Sequence, residues 1–452
     1  MGRVATFFDR WWWVAALAIG AVIAYLNRDA LGMQGVLPDY RCFRSAIVAG
    51  LDPSANHCAS ATFPMWGYGW LLAVTTNAYA LLLFQIAFAV GATVLFLWAL
   101  ERTSILAGIP ARIVKALLLI SVPWYAANAL RWPYSEAASL LLCAVAVLIV
   151  AQSYRAFALS GLLFGLALNF RSDYIGLPVL FAVVLLALTR RWRRVALWLA
   201  VIVVALVPWM VYSARATGHV LATSTNSGHV LYISLGQLPG NPWGITPYDG
   251  DPRMHRELDA HFGRKVSSLT YASDVFLRSR FVHLVRQHPA AWLHKDAHNA
   301  EHTFVDGFYD GEFIQQHSCG SRCWLRYGFS ADGSTVERSR LTTLFGSSGL
   351  SVGERIRFAL VELAAQEGRL ASFLGFLAAV AVFLVALRRR TVSLALVALV
   401  PVYVLLLNTF AYELPSYSSN AYVFLVALLG VSVGSLAHRR RRTESARAAR
   451  PA

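Results

Sequence analysis

The chain has 452 residues, of which 57% are hydrophobic and only 14% charged, and its mean hydropathy is +0.52. A soluble domain carries about 25% charged residues and one this apolar would expose aggregating patches, so composition points to an integral membrane protein. The net charge of +16 does not indicate nucleic acid: the arginines sit in short clusters between apolar runs, as topology signals do, and no basic face with interleaved aromatics accompanies them.

A crossing helix needs about 20 apolar residues, and fewer where the bilayer is thin. Candidate segments lie at 11–26, 77–100, 113–127, 136–151, 157–169, 174–189, 195–212, 370–387, 391–410 and 421–437. The first has no small-residue cleavage site and is expected to persist as a helix. Arg3 and Arg10 precede it; Arg102, Arg112 and Lys115 flank the second connection; Arg155 lies in the fourth. Arg190, Arg191, Arg193 and Arg194 follow the sixth segment, Arg388 to Arg390 the eighth, and Arg439 to Arg442 the last. All of them fall on one side if ten segments cross and both termini are cytoplasmic. The fold class expected is therefore an all-α polytopic membrane protein. It has a transmembrane core over 1–212 with about seven spans and a first external loop at 27–64. An external domain follows at 213–369, then C-terminal helices at 370–438 and a basic cytoplasmic tail at 439–452.

The same parity places 27–64, 128–135, 170–173, 213–369 and 411–419 outside. Cys42 and Cys58 share the first of these loops, and Cys319 and Cys323 share the long one. They are either local disulfides of an oxidising compartment or unpaired small hydrophobes; Cys143 stands alone inside a span. Within the external domain, Leu269, Ala272, Val275, Phe276, Phe281, Leu284 and Val285 repeat at helical spacing. Pro289 should end that helix, and another is expected over 290–304. The domain reads as mainly helical, with too weak a core pattern to stand alone.

Ionisable residues at span ends are candidates for function because burying them near lipid is costly. The external ends carry Asp39, Arg41, Arg44, Arg131, Glu136, Arg171, Asp173, Arg215 and Glu413. Topology brings Asp39, Glu136, Arg131 and Arg171 to one level. Each alone could simply snorkel or cap its helix; the complementary signs of the set favour a site. Arginines hold phosphate bidentately and stay charged, and a carboxylate beside them can act as general base toward a hydroxyl or amine. Such a set suits displacement at a carbon whose leaving group is a phosphate. Trp66, Tyr68, Trp70, Trp124, Tyr125, Trp132 and Tyr134 fit either sugar stacking or an interfacial aromatic belt.

Several motifs occur in order: Asp39, then Ala46-Ile47-Val48-Ala49-Gly50-Leu51-Asp52-Pro53, then Phe63-Pro64-Met65-Trp66-Gly67-Tyr68-Gly69. Tyr134-Ser135-Glu136, Asn169-Phe170-Arg171-Ser172-Asp173 and Leu206-Val207-Pro208-Trp209 ahead of Arg215 follow. The series closes with the run from Thr223 to Tyr232 and with His288-Pro289-Ala290-Ala291-Trp292. From Asp39 to Trp292 this resembles the GT-C-type membrane glycosyltransferases that use polyprenyl-phosphate sugars, the protein O-mannosyltransferases and lipid A aminoarabinose transferases of glycosyltransferase family 39 type. The resemblance implies a GT-C-type bundle of about ten transmembrane helices with a mainly helical periplasmic domain, in a bacterial inner membrane. It also implies inverting transfer from a polyprenyl-phosphate sugar donor to a periplasmic acceptor (protein, lipid or glycan).

Carried over by position, Asp39 matches the catalytic base and Glu136 a second acid near the acceptor or a divalent cation. Arg131 and Arg171 fall where lipid-phosphate contacts would lie. Tyr40, Arg41, Tyr68, Asp173, Arg215, Asn226 and His229, in or beside these motifs, complete the substrate-binding candidates. Two departures stand out. Tyr40 replaces a second acid after Asp39, and Ser416-Tyr417 stands where relatives have Arg-Tyr. No cofactor is specified beyond that cation. No metal site is marked by His57, His219 or His229, while His294, His298 and His302 form either a metal-binding face or a solvent face of one helix. Two rivals remain: a ligase or polymerase of O-antigen type using a diphosphate-linked donor, which would lean on Arg278 or His283, and a secondary transporter, which would show repeats and midplane charges.

Overall fold

The computed structural model describes residues 2–26, 44–55, 60, 62–63, 65–74, 78–131, 135–305, 352–412 and 419–448. These residues are helical throughout the regular structure, with no strand among them. The helices are α1 (Gly2–Leu26), α2 (Gly67–Val74), α3 (Ala78–Arg102), α4 (Ile109–Arg131), α5 (Ser135–Val150), α6 (Tyr154–Phe170), α7 (Gly176–Thr189) and α8 (Trp192–Thr217). They continue as α9 (Ser227–Ser234), α10 (Pro252–Phe262), α11 (Tyr271–Gln287), α12 (Pro289–Val305), α13 (Val352–Arg389), α14 (Val392–Phe410) and α15 (Tyr422–Ala448). A helix covers each of the ten apolar segments. Among the described residues, five helices are long and apolar enough to cross a membrane, and α5, α6 and the Tyr422–Ser435 part of α15 are shorter apolar helices. The chain is an all-α, multi-pass membrane protein.

The faces follow from side-chain spacing. On α8, Trp198, Ile202, Leu206 and Trp209 are buried while Val203, Val204, Val207 and Val211 are exposed. That is an inner stripe and an outer apolar face suited to lipid. α5 instead is buried nearly all round, from Ala137 to Ile149, and packs against α3 and α6. α6 lies closest to α8 because two glycines meet it. A β-carbon on Gly161 would sit 2.7 Å from the Trp198 carbonyl oxygen, and one on Gly165 would sit 2.5 Å from the Ala205 β-carbon. This is the small-residue spacing by which helices approach closely in lipid.

Charged side chains tie one set of helix ends together. Asp9 of α1 pairs with Arg112 of α4 at 2.9 Å, and Glu101 of α3 pairs with Lys115 of α4 at 2.8 Å. Arg194 of α8 donates to the Gln152 carbonyl, between α5 and α6. Short antiparallel connections then put the N-terminal ends of α3, α5 and α15 together at the opposite end.

The helices α9 to α12 form a separate layer with its own core of Tyr232, Ile233, Leu235, Trp243, Ile245, Met254, Leu258, Leu277 and Leu284. That core is stronger than the sequence pattern implied, because Trp243 and Ile245 come from an irregular stretch that has no period to read. α11 and α12 meet at Pro289, where the sequence placed the break.

Candidate functional site

Glu136 lies in the first turn of α5 and is 1% exposed. A helix N-terminus favours a carboxylate, and α5, at 16 residues, spans only about 24 Å, less than the roughly 30 Å hydrocarbon core. At least one of its ends is therefore recessed. Gln85, on α3, donates its amide nitrogen to Glu136 Oε1, and the same nitrogen lies 3.5 Å from the Tyr68 hydroxyl on α2. Tyr68 in turn packs with Leu72, Leu81 and Phe170. The sequence singled out Tyr68 and Glu136; the residue that joins them, Gln85, was missed. Its only signal is one amide within the apolar run of α3.

Gln85 also lines a cavity inside the bundle. Its walls come from α1 (Trp12, Ala16), α3 (Ile86, Ala89, Val90, Thr93), α4 (Leu118, Ser121, Val122) and α15 (Tyr422, Val423). The cavity is partly open, about 60 Å³ in volume, and almost wholly apolar beyond Gln85, Thr93, Ser121 and Tyr422.

A second cluster sits where α6 ends. Arg171 is buried, forms an ion pair with Asp173, and its guanidinium lies 5.7 Å from the Tyr174 ring centre. Just before it, Asn169 accepts from the Trp66 indole and donates to the Gly165 and Ala205 carbonyls, at 2.9 and 3.1 Å. Gly67 leaves room for that backbone: a β-carbon there would lie 2.7 Å from the Asn169 carbonyl oxygen. Ser172 meets Ser224 at 3.0 Å, and Ser224 donates to Asn226 at 3.0 Å. Tyr68 and Phe170 are the bridge between this cluster and Glu136.

His229 lies one step further out. Its ring nitrogens face Ser268 at 2.8 Å and the exposed Asp249 at 2.9 Å. The hydrogen bond from His229 holds the Asp249 carboxyl below its usual range. Arg215 is exposed in the last turn of α8. Arg131 closes α4. Asp39, Tyr40, Arg41, Cys42, Cys58, Cys319, Cys323, Glu413, Ser416 and Tyr417 lie outside the described residues.

The structure thus gathers Tyr68, Glu136, Arg171, Asp173 and Asn226 along one continuous set of contacts, with His229 beside it and Arg215 at the surface. Among the described residues no three His, Cys, Asp or Glu side chains gather as a metal site. His298 and His302 stack edge to face at 4.3 Å between ring centres.

No family model and no curated protein matches the chain. Among solved structures, the archaeal oligosaccharyltransferase AglB from Archaeoglobus fulgidus, in complex with an inhibitory peptide and a dolichol-phosphate, aligns over 99% of this chain and 53% of its own. The identity is 13% and the TM-score 0.42. The chain spans about half the length of that protein.

Proposed function

We propose that the protein is a membrane glycosyltransferase of GT-C type that moves a sugar from a polyprenyl-phosphate-linked donor to an acceptor on the periplasmic side of a bacterial inner membrane. The observation that carries the reading is Glu136: a buried acid in the first turn of a short apolar helix, one hydrogen bond from Gln85 in the wall of an apolar cavity between helices. A lipid chain needs such a cavity, and acid–base chemistry needs such a carboxylate. Ionisable groups inside a membrane bundle are functional candidates by default.

In this reading Asp39, on the loop after α1, takes the proton of the acceptor hydroxyl or amine as that nucleophile attacks the anomeric carbon. The bond from that carbon to the lipid-phosphate oxygen breaks, with inversion. Arg131 and Arg171 hold the departing phosphate, and Asp173 keeps the Arg171 guanidinium in place. Glu136 positions the acceptor, with Tyr68 and Gln85 fixing its carboxyl. Arg41, Tyr40, Arg215, Asn226 and His229 line the approach, and no step is assigned to a cation.

The test is transfer from a polyprenyl-phosphate sugar by the purified chain in lipid nanodiscs. Asp39→Asn should lower the rate by about 100-fold or more, the scale of a lost general base, while the protein still inserts and folds. Full activity in that variant ends the assignment of the base. Retained activity there, combined with loss on changing Arg278 or His283, would instead support a diphosphate-dependent ligase.

A further inference from the structure

Arg190 and Arg191 stand between two segments long and apolar enough to cross a membrane, Ser172–Thr189 and Trp192–Thr217, and Arg193 and Arg194 open the second. A turn in that position lies at the hydrocarbon border, the depth of lipid phosphates. A second turn is fastened to it. Arg194 donates to the Gln152 carbonyl, in the turn between the apolar helices α5 and α6. Its guanidinium also lies 5.0 Å from the ring centre of Tyr154, the first residue of α6. Arg155 comes next and is exposed, as are Arg190, Arg191 and Arg193. Two tied turns from four helices thus bring five arginines together.

No carboxylate among the described residues pairs with any of the five. Between Glu136 and Asp249 the chain has a single acid, Asp173, which is bound to Arg171 and precedes the opposite end of α7. Arg112 and Lys115 differ, each being matched by an acid, Asp9 and Glu101. Aromatic rings accompany the cluster. Trp192 is 63% exposed with the Arg193 guanidinium 5.4 Å from its ring centre, and Tyr154 is half exposed. Beyond them the exposed side chains are apolar, Val183 and Leu186 on α7 and Val203 and Val204 on α8.

We propose that the tied turns form a binding site for a phospholipid with an anionic headgroup, independent of the transferase reading. Arginine holds phosphate bidentately and stays charged, and Arg190, Arg191 and Arg193 have no other partner to give up. The acyl chains lie along the apolar faces of α7 and α8, with Trp192 at the glycerol level. A choline or ethanolamine headgroup would bring an ammonium among five positive charges; a glycerol headgroup brings none. Orientation during insertion needs the charge of these arginines alone. A lipid site needs in addition that they be gathered, and the bond from Arg194 to Gln152 does that.

Native mass spectrometry of the full chain in neutral detergent tests the site, with phosphatidylglycerol and phosphatidylcholine of the same acyl chains as probes. The wild type should hold phosphatidylglycerol about tenfold more tightly, the scale of a few arginines at an anionic headgroup. Arg190→Gln, Arg191→Gln and Arg193→Gln combined should bring that ratio close to one through loss of phosphatidylglycerol alone; Arg194 is kept because it ties the turns. Arg388→Gln, Arg389→Gln and Arg390→Gln combined remove the same charge from the turn between α13 and α14, where all three are exposed, and should keep the wild-type ratio. Equal loss in both triple variants overturns the site, since diffuse attraction to a basic surface would explain it, and so does a wild type that holds the two lipids alike. Thermal melts in nanodiscs of each lipid separate binding from folding. The first variant should melt below the wild type in phosphatidylglycerol and level with it in phosphatidylcholine; an equal drop in both lipids would mean that the arginines merely brace the turns, and would overturn the proposal too.

Discussion

Lys295 and Asp296 are neighbours on α12, 0% and 5% exposed, paired at 2.9 Å. The Lys295 ammonium also donates to the Phe410 carbonyl at 3.0 Å. Burial pushes the lysine down and the aspartate up from their ordinary values, and each partner resists the other's shift. Taking one charge away strands the other, which costs about 3–5 kcal/mol. Lys295→Met should therefore lower the unfolding midpoint sharply, and Lys295→Met with Asp296→Leu should recover most of the loss; a thermal melt of both variants checks this. Glu257 behaves differently. Burial would raise its carboxyl, but hydrogen bonds from Arg280 at 2.7 Å and Arg253 at 3.0 Å outweigh burial and hold it below its usual range. A lowered folded pKa stabilises above the unfolded value and is lost as pH falls through the folded one. The stability gap between wild type and Glu257→Gln should thus be full at neutral pH and close in acid, and a gap that widens in acid would refute the ion-pair account.

At the level of elements, α6 and α8 depend on having no side chain where they touch. Gly165→Leu must push a branched side chain into Ala205 and the Ile202 backbone. Overpacking of this kind costs about 1–3 kcal/mol or more, and the folded fraction after detergent extraction should drop, with Gly91→Leu, where a β-carbon meets nothing within 4 Å, as the tolerated control. Apolar length made the ten helices legible, because only a helix satisfies its backbone within lipid. Their ends were less so. α13 begins at Val352 rather than near Leu370, since helix-forming residues such as Glu354, Arg357 and Glu362 continue the helix beyond its apolar part. α8 runs to Thr217 and stops where Gly218 takes φ +75°, a left-handed position that favours glycine. The candidate site was legible where it rests on charge at a span end, as at Glu136 and Arg171. Gln85, which couples to Glu136, reaches it from another helix, and no local pattern encodes that pairing.

For the molecule as a whole, charge separates the two ends of the bundle. Arg112 and Lys115 of α4 are tied at one end of the bundle to Asp9 and Glu101, and the helical layer α9 to α12 docks against the end of α14. That docking is polar: Asn299 donates to the Thr409 carbonyl at 3.1 Å, Lys295 to the Phe410 carbonyl at 3.0 Å, and Tyr412 to the Pro247 carbonyl at 2.6 Å. Bonds of this kind hold the layer against the end of α14 in one position, which suits a fixed domain more than a rocking transporter half. Uptake of solute into proteoliposomes without sugar transfer would reverse that preference. The most direct measurement is the mass of envelope glycans from cells with and without this chain. Loss of one sugar residue from a single glycan or glycolipid in its absence, restored by the wild type and not by Asp39→Asn, is the expected result. Glycan masses that do not change when the chain is removed would contradict the transferase reading.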